Sequence, residues 1–174
     1  GWLMDYIQTH PDFIRPDYRR NEILGFLREP LEDLCITRPK SRLSWGIEYP
    51  GSQDHVVYVW FDALLNYLTA LGYPAEESKF KKYWPVDCHM LGKDILRQHA
   101  VYWPIMLRAM GVEMPKLVLA HGWWKIGGEK MSKSLGNIVD PVAIVKKYGS
   151  DAFRYFLMRE VTLGLDGTYS EDLL

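Results

Sequence analysis

VDCHMLGKDILRQHAVYWPIMLRAMGVEMPKLVLA, residues 86–120, decides the fold class because it contains a strand, a helix and a second strand in succession. The apolar run 86–91 ends at Gly92, a helical pattern covers about 94–110, and 116–120 is apolar again. The run 55–60 is also apolar and precedes a helical pattern that continues to Leu71. Short apolar strands alternating with amphipathic helices are typical of a parallel sheet with crossover helices. The sequence therefore predicts an α/β fold with strands at 55–60, 86–91 and 116–120.

Outside this region the pattern is mostly helical. Helical spacing covers 2–9 and 17–28, 34–36 is a short strand candidate, and 45–47 lies in irregular chain. After Asn137 the sequence predicts helices at about 140–147 and 149–158, whereas 160–174 shows no clear pattern. The first helical pattern starts without an initiator methionine, which suggests a segment of a longer polypeptide.

Composition narrows the function classes. The chain has 174 residues, 48% of them hydrophobic, which suits one domain, and its net charge of −1 gives no global attraction to nucleic acid or acidic membranes. Cys35 and Cys88 are isolated, so we expect neither disulfides nor a metal site, but two reduced, buried thiols in a cytoplasmic protein. No apolar run reaches the roughly 18–20 residues of a membrane span, and no signal peptide is visible.

Polar motifs follow the predicted strands, where ligands bind in parallel sheets. Trp60, Gly92 and His121 lie at these strand ends. Gly92 would let a sugar approach the backbone and Asp94 would accept from its hydroxyls, although a helix cap is the alternative for Asp94.

The most informative segment is Lys130–Asn137, which follows Gly127-Gly128 and carries two lysines three residues apart. It suits a mobile loop that meets polyphosphate, with a solvated basic loop as the alternative. Residues 125–147 contain five lysines and only two acidic residues, Glu129 and Asp140, so the sequence predicts a modest basic patch around this segment.

A helical face follows the run 55–60. Trp60, Ala63, Leu64 and Tyr67 have i, i+3, i+4, i+7 spacing, which predicts one shared face. Core packing is the alternative, mainly for Ala63 and Leu64. Trp60 and Tyr67 are harder to bury, because each carries a polar group that needs a partner.

These motifs together resemble a known family. Lys130–Ser134 (KMSKS) is similar to the signature loop of class I aminoacyl-tRNA synthetases. The segments 121–124 (HGWW), 128–130 (GEK), 58–63 (YVWFDA) and 92–95 (GKDI) resemble the methionyl branch. The resemblance covers nearly the whole chain, and the motifs occur in the family's order.

The resemblance implies the second half of a Rossmann-like parallel sheet with crossover helices, followed by the start of a helical stem-contact region. It divides the chain into a helical and irregular lead-in (1–54), the Rossmann-like part (55–137) and the stem-contact start (138–174). The implied ATP contacts are Gly92, Asp94, His121, Gly122, Trp124, Lys130 and Lys133. The implied methionine contacts are Trp60, Ala63, Leu64, Tyr67, Ile95 and His99.

The resemblance also implies roles. Lys130 and Lys133 would be catalytic, gripping the triphosphate, with Lys133 acting on the transition state. Of Trp123 and Trp124, one would be buried and one would face the nucleotide. His99 would donate to the methionine sulfur alongside the Tyr67 hydroxyl. Gln98 departs from the pattern, since relatives commonly have an aromatic residue there.

The implied reaction is activation of methionine by ATP–Mg²⁺, followed by transfer to tRNA. Positioning and charge stabilisation suffice for it, so no protein nucleophile is needed. The implied partners are methionine, tRNA, an N-terminal catalytic half with a HIGH-type histidine motif and an anticodon-binding domain; no HIGH-type string occurs here. Two alternatives stay open. One is part of a leucine, isoleucine or valine synthetase, against which residues 60–63 argue. The other is a non-catalytic module that binds nucleotide, tRNA or a partner.

Overall fold

The computed structural model describes residues 1–132 and 136–174. The helices are α1 (Trp2–Thr9), α2 (Asp17–Arg28), α3 (Val59–Thr69), α4 (Glu77–Tyr83), α5 (Trp103–Ala109), α6 (Pro141–Tyr148) and α7 (Ser150–Arg159). The strands are β1 (Ile14–Arg15), β2 (Thr37–Pro39), β3 (His55–Val57), β4 (His89–Gly92), β5 (Val118–His121), β6 (Trp124–Ile126), β7 (Glu129–Lys130) and β8 (Gly167–Thr168). None of the helices in these two ranges is long and apolar enough to span a membrane.

A parallel sheet lies at the centre, as the sequence predicts, in the order β1-β5-β4. Strands β4 and β5 overlap the predicted runs 86–91 and 116–120 but begin two to three residues later and include Gly92 and His121, and a helical segment connects them. That segment begins with a 3₁₀ turn (Lys93–Ile95), passes through a π-helical turn (Gln98–Tyr102) and continues as α5. The α/β class is confirmed.

The third strand of this sheet is not the predicted one. Strand β3 pairs antiparallel with β2 in a separate two-stranded sheet, and α3 begins at Val59. The prediction of a strand through Trp60 is therefore wrong, and Trp60 lies in the first turn of a helix. A short apolar run does not distinguish a strand from a buried helix start. The third strand is β1, whose Ile14 is in register with Val118.

Two further predictions fail locally. The strand candidate 34–36 is wrong, because β2 begins only at Thr37. Cys35 is exposed and Cys88 half-buried, so the prediction of buried thiols is wrong, although both are free. Helices α1, α2, α6 and α7 confirm the predicted ones. Asp140 caps α6, since its Oδ1 accepts from the Val142 N–H (2.9 Å).

Two apolar clusters hold the fold. The first packs α1 and α2 against the parallel sheet through Ile7, Phe13, Ile14 and Ile23. The second joins α3 to α5 through buried residues that include Leu64, Leu68, Trp103 and Leu107. Burial of such side chains contributes about 1.5–3 kcal/mol each, so α3 is fixed relative to the helical segment after β4.

A third sheet, in the order β7-β6-β8, follows β5 in a region that the sequence treats as loop. Strands β6 and β7 form a hairpin around Gly127 and Gly128, which both have positive φ (58° and 87°). Strand β8, from the tail without a clear pattern, pairs parallel with β6. Lys130, the first residue of the signature segment, therefore lies at the end of a strand.

Candidate functional site

The parallel register brings two motifs together. Gly92 at the end of β4 pairs with His121 at the end of β5. The 3₁₀ turn after Gly92 carries Asp94, and the chain after His121 carries Trp123, so both side chains emerge at the carboxyl edge of the sheet. This is the edge at which ligands bind in open α/β sheets.

Asp94 is the centre of a polar cluster. Its Oδ1 accepts from the Trp123 indole Nε1–H (3.1 Å), and its Oδ2 lies 3.6 Å from the Lys130 ammonium. The Trp123 hydrogen bond and the Lys130 charge lower the pKa of Asp94. The Lys130 ammonium also lies over the Trp123 ring, 4.0 Å from its centroid. The cluster therefore presents an ionised carboxylate beside a movable cation.

Two glycines shape this edge. A Cβ on Gly92 would lie 2.7 Å from Asp94 Oδ1, and one on Gly122 would lie 2.0 Å from the Leu165 carbonyl oxygen. The close backbone approach requires glycine at position 122, whereas at position 92 an added Cβ would crowd the Asp94 carboxylate. His121 pairs with Gly92 across the sheet and precedes Gly122, and its Nδ1–H donates to the Gly122 carbonyl (2.7 Å).

Sequence reasoning missed Asp166, which precedes β8. Its carboxylate accepts from the Lys93 ammonium (2.7 Å), the Lys125 ammonium (2.9 Å) and the Trp123 backbone N–H (2.9 Å). The hydrogen bonds from Lys125 and Lys93 hold the pKa of Asp166 far below its usual range. No local pattern signals this residue, because its partners are more than 40 positions away in the sequence.

The predicted aromatic face lies on α3, next to His99. The Tyr67 hydroxyl and His99 Nε2 are 2.9 Å apart, and the Trp60 ring meets the His99 ring edge-on at 6.0 Å. Ala63 is exposed, whereas Leu64 is buried in the second apolar cluster. Leu64 thus supports the face from behind.

The hydrogen bonds of His99 assign its tautomer. Nδ1 lies 2.9 Å from the Ile95 carbonyl, which can only accept, so Nδ1 carries the proton. Burial lowers the pKa of His99, so the ring is neutral and Nε2 accepts from the Tyr67 hydroxyl. In this arrangement His99 has no proton on Nε2 to donate, and its predicted contact with a methionine sulfur stays a prediction. Tyr67 is the donor of the pair.

A second buried imidazole, His89, was also missed. It is 6% exposed, its Nε2 accepts from the Trp103 indole (3.2 Å), and its ring lies 4.4 Å from Tyr67. Burial, together with nearby His99, lowers the pKa of His89 to about 4. His89 lies within the predicted strand 86–91, and that position in a strand of the central sheet could have indicated a buried histidine.

Trp124 and Lys133 differ from the other predicted ATP contacts. The Trp124 ring stacks on Phe156 (5.3 Å between centroids), so the described contacts bring Trp123, and not Trp124, to Asp94. Lys133, with Ser134 and Leu135, lies outside the described residues. Gln98 is half-buried, and its Oε1 has no hydrogen-bond partner within the described ranges.

Comparison with known proteins identifies the family. All of residues 1–174 match the family described as "tRNA synthetases class I (M)". The chain belongs to the methionyl-tRNA synthetase family. The Methionine--tRNA ligase of Rickettsia conorii is 51% identical over 172 residues, and that of Caldanaerobacter subterraneus subsp. tengcongensis is 54% identical over 173 residues. Each alignment covers 99% of this chain.

A solved methionyl-tRNA synthetase has the same fold. The Mycobacterium tuberculosis enzyme in complex with methionyl-adenylate superimposes with a TM-score of 0.88 at 51% identity over 98% of this chain. The chain spans 33% of that structure, 34% of the Rickettsia enzyme and 27% of the Caldanaerobacter enzyme. It thus corresponds to a portion of the catalytic domain of a methionyl-tRNA synthetase.

Proposed function

We propose that this chain supplies the methionine-binding and nucleotide-binding walls of a methionine–tRNA ligase. The observation that carries the proposal is that one short segment after β4 contributes a residue to each of two neighbouring side-chain clusters. Asp94, with Trp123 and Lys130, lies at the start of the helical segment after β4, and His99, with Tyr67, lies five positions later. The similarity to a synthetase solved with methionyl-adenylate supports the same assignment.

On the ATP side, the Asp94 carboxylate accepts from the ribose hydroxyls, which approach over Gly92. His121 and Gly122 bound the adenine through backbone groups. Lys130 leaves Asp94 for the phosphates, because a triphosphate offers more negative charge than one carboxylate. Lys133 completes the grip in the transition state. We assign Trp123 to this side in place of Trp124.

On the methionine side, Trp60, Ala63 and Tyr67 form the wall on α3, while Ile95 and His99 form the wall on the next segment. The thioether of methionine is polarizable and packs well against the edges of aromatic rings. Tyr67 and His99 hold each other through their hydrogen bond, which keeps this wall rigid.

In the reaction, a methionine carboxylate oxygen attacks the α-phosphorus of ATP–Mg²⁺. The bond from that phosphorus to the bridging oxygen breaks, and pyrophosphate leaves with the metal. Methionyl-adenylate remains, and the terminal ribose hydroxyl of tRNA attacks its acyl carbon and releases AMP. Lys130 and Lys133 stabilise charge on the phosphates, and the aromatic wall orients the methionine.

The remaining parts of the enzyme belong to the same proposal. Residues 55–137 form the second half of a Rossmann-like sheet, residues 1–54 lead into it and add β1, and residues 138–174 start the stem-contact region. An N-terminal catalytic half with a HIGH-type histidine motif, an anticodon-binding domain and tRNA complete the assembly. The relatives' greater length supports these partners.

Methionine-dependent ATP–pyrophosphate exchange tests the proposal. The protein is the M. tuberculosis enzyme in which this chain replaces the matching segment, with leucine, isoleucine and valine as competing substrates. We expect exchange with methionine alone and a loss of at least about 100-fold in Lys133→Ala, since one lost charge contact in the transition state costs about 3 kcal/mol.

Lys146→Ala, on α6, is the matched control. Exchange with another amino acid would reassign the substrate, and undiminished exchange in Lys133→Ala would refute the proposed role of Lys133. ATP binding without exchange would favour the non-catalytic module.

A further inference from the structure

Asp166 lies outside every motif that the sequence singles out, yet it is among the most highly coordinated carboxylates of the described chain. Oδ1 accepts from the Lys93 ammonium and the Trp123 backbone N–H, and Oδ2 accepts from the Lys125 ammonium. These donors come from the 3₁₀ turn after β4, from the connection after β5 and from β6. One carboxylate therefore ties three parts of the fold together.

Trp123 connects Asp166 to the ATP side. Its backbone N–H donates to Asp166, and its indole N–H donates to Asp94. Two ammonium groups lie over its ring, Lys93 at 4.2 Å and Lys130 at 4.0 Å from the centroid. Each lysine has its own carboxylate, since Lys93 pairs with Asp166 and Lys130 with Asp94.

The backbone around Asp166 is held by packing. A Cβ on Gly122 would lie 2.0 Å from the Leu165 oxygen and 2.6 Å from the Asp166 nitrogen. A Cβ on Gly167 would lie 2.2 Å from Val161 Cγ2. The Asp166 carboxylate is only 22% exposed. Its position is thus set by close contacts, and it can act as a fixed point for flexible lysines.

We propose that Asp166 is a positioning residue for the ATP side of the site. It fixes the backbone of Trp123 so that the indole reaches Asp94, and it keeps Lys93 from competing with Lys130 for that carboxylate. Asp94, the proposed ribose acceptor, and Lys130, the proposed phosphate-binding lysine, are thereby held in position before the nucleotide binds. The functional part of this inference rests on the proposed function.

The inference predicts a selective defect. None of the described contacts of Tyr67 or His99 involves Asp166. In the M. tuberculosis enzyme carrying this chain, we expect Asp166→Asn to raise KM for ATP about 10-fold and to leave KM for methionine within about 2-fold, because one charge-assisted bond contributes about 1.4 kcal/mol. A purely structural defect lowers the active fraction, and thus kcat, without changing either KM.

Lys125→Met is the matched control, since among the described residues it removes the one donor to Oδ2 and leaves both donors to Oδ1. We expect less than about a 3-fold change in KM for ATP from it. Equal changes in both KM values for Asp166→Asn, or no change in either, would overturn the inference. If the Asn variant does not fold, Lys93→Met removes the same ion pair and should show the same selectivity.

A second measurement separates this inference from the proposed function. In ¹H–¹⁵N spectra of the chain itself, the Trp123 indole resonance is assigned with Trp123→Phe. We expect Asp166→Asn to shift this resonance and to speed the hydrogen exchange of the Trp123 indole N–H about 10-fold. The Trp60 indole resonance, which serves as the internal control, should not shift. An unchanged Trp123 indole would refute the positioning role even in an active enzyme. Absence of methionine-dependent ATP–pyrophosphate exchange would refute only the proposed function.

Discussion

His89 should make the stability of this protein fall between neutral pH and about pH 4. The side chain is 6% exposed, and its ring is neutral because Nε2 carries no proton and accepts from the Trp103 indole N–H. Burial and the neighbouring His99 lower its pKa to about 4, against about 6.5 in an unfolded chain. Between these values the unfolded state binds the extra proton, so the free energy of unfolding falls as the pH is lowered.

The size of the effect follows from the shift. A difference of about 2.5 units at about 1.4 kcal/mol each amounts to about 3 kcal/mol once both states are protonated, and about 2 kcal/mol is already lost by about pH 5. The contribution is fully present above about pH 7.5, where His89 is neutral in both states.

Urea unfolding of the chain, followed by circular dichroism at several pH values from about 7.5 to 4.5, measures this loss. His89→Gln is the matched variant, because its amide oxygen can accept from the Trp103 indole but does not titrate. We expect the variant to lose about 2 kcal/mol less than the wild type between about pH 7.5 and 5. Parallel curves for the two proteins would refute the reasoning, whatever other groups titrate.

Three further changes test separate contacts. Gln98→Leu should raise the free energy of unfolding by about 1 kcal/mol, because the buried Gln98 Oε1 has no hydrogen-bond partner in the described part of the chain; a less stable variant in urea unfolding would contradict this. Gly122→Ala should lower it by about 3 kcal/mol, since the added Cβ would lie 2.0 Å from the Leu165 oxygen; the same assay giving wild-type stability would show that this approach is loose in solution. Tyr67→Phe should raise KM for methionine about 5-fold and leave KM for ATP unchanged in pyrophosphate exchange, because within the described residues the hydroxyl hydrogen-bonds to His99 and not to the ATP side; equal changes in both KM values would contradict the separation of the two sides.

The sequence predicts the segment 86–120 well, because strand, glycine turn and helix each leave a local pattern. The run 55–60 was harder, since its apolar residues satisfy both a strand and the start of a helix. Tertiary packing decides between them, as Leu64 and Leu68 bury against α5. Strand β1 has two residues and lies between prolines, so no periodicity could reveal it.

The placement of the candidate site residues could be predicted only where their positions depend on local sequence. Asp94 and His99 lie five residues apart on one segment, and the α3 face follows helical spacing. Asp166 and the choice of Trp123 over Trp124 depend on a parallel pairing between β6 and β8, which joins distant segments. Such pairings are set by the folded sheet, and nothing in the neighbouring residues encodes them.

The two sides of the site differ in charge for a physical reason. Asp94 and Asp166 are partly exposed and paired with lysines, and their hydrogen bonds hold the pKa of each carboxyl below its usual value; this polar, charged side suits a ligand with several phosphates. His99 and His89 remain neutral because both are buried, and the Ile95 carbonyl and the Trp103 indole each take one ring nitrogen. Sulfur is a weak acceptor, so it competes poorly with His99 Nε2 for the Tyr67 proton. In the proposed methionine site, discrimination for the thioether therefore depends on packing against the rings of Tyr67 and Trp60, and the Tyr67–His99 hydrogen bond holds the Tyr67 ring in place.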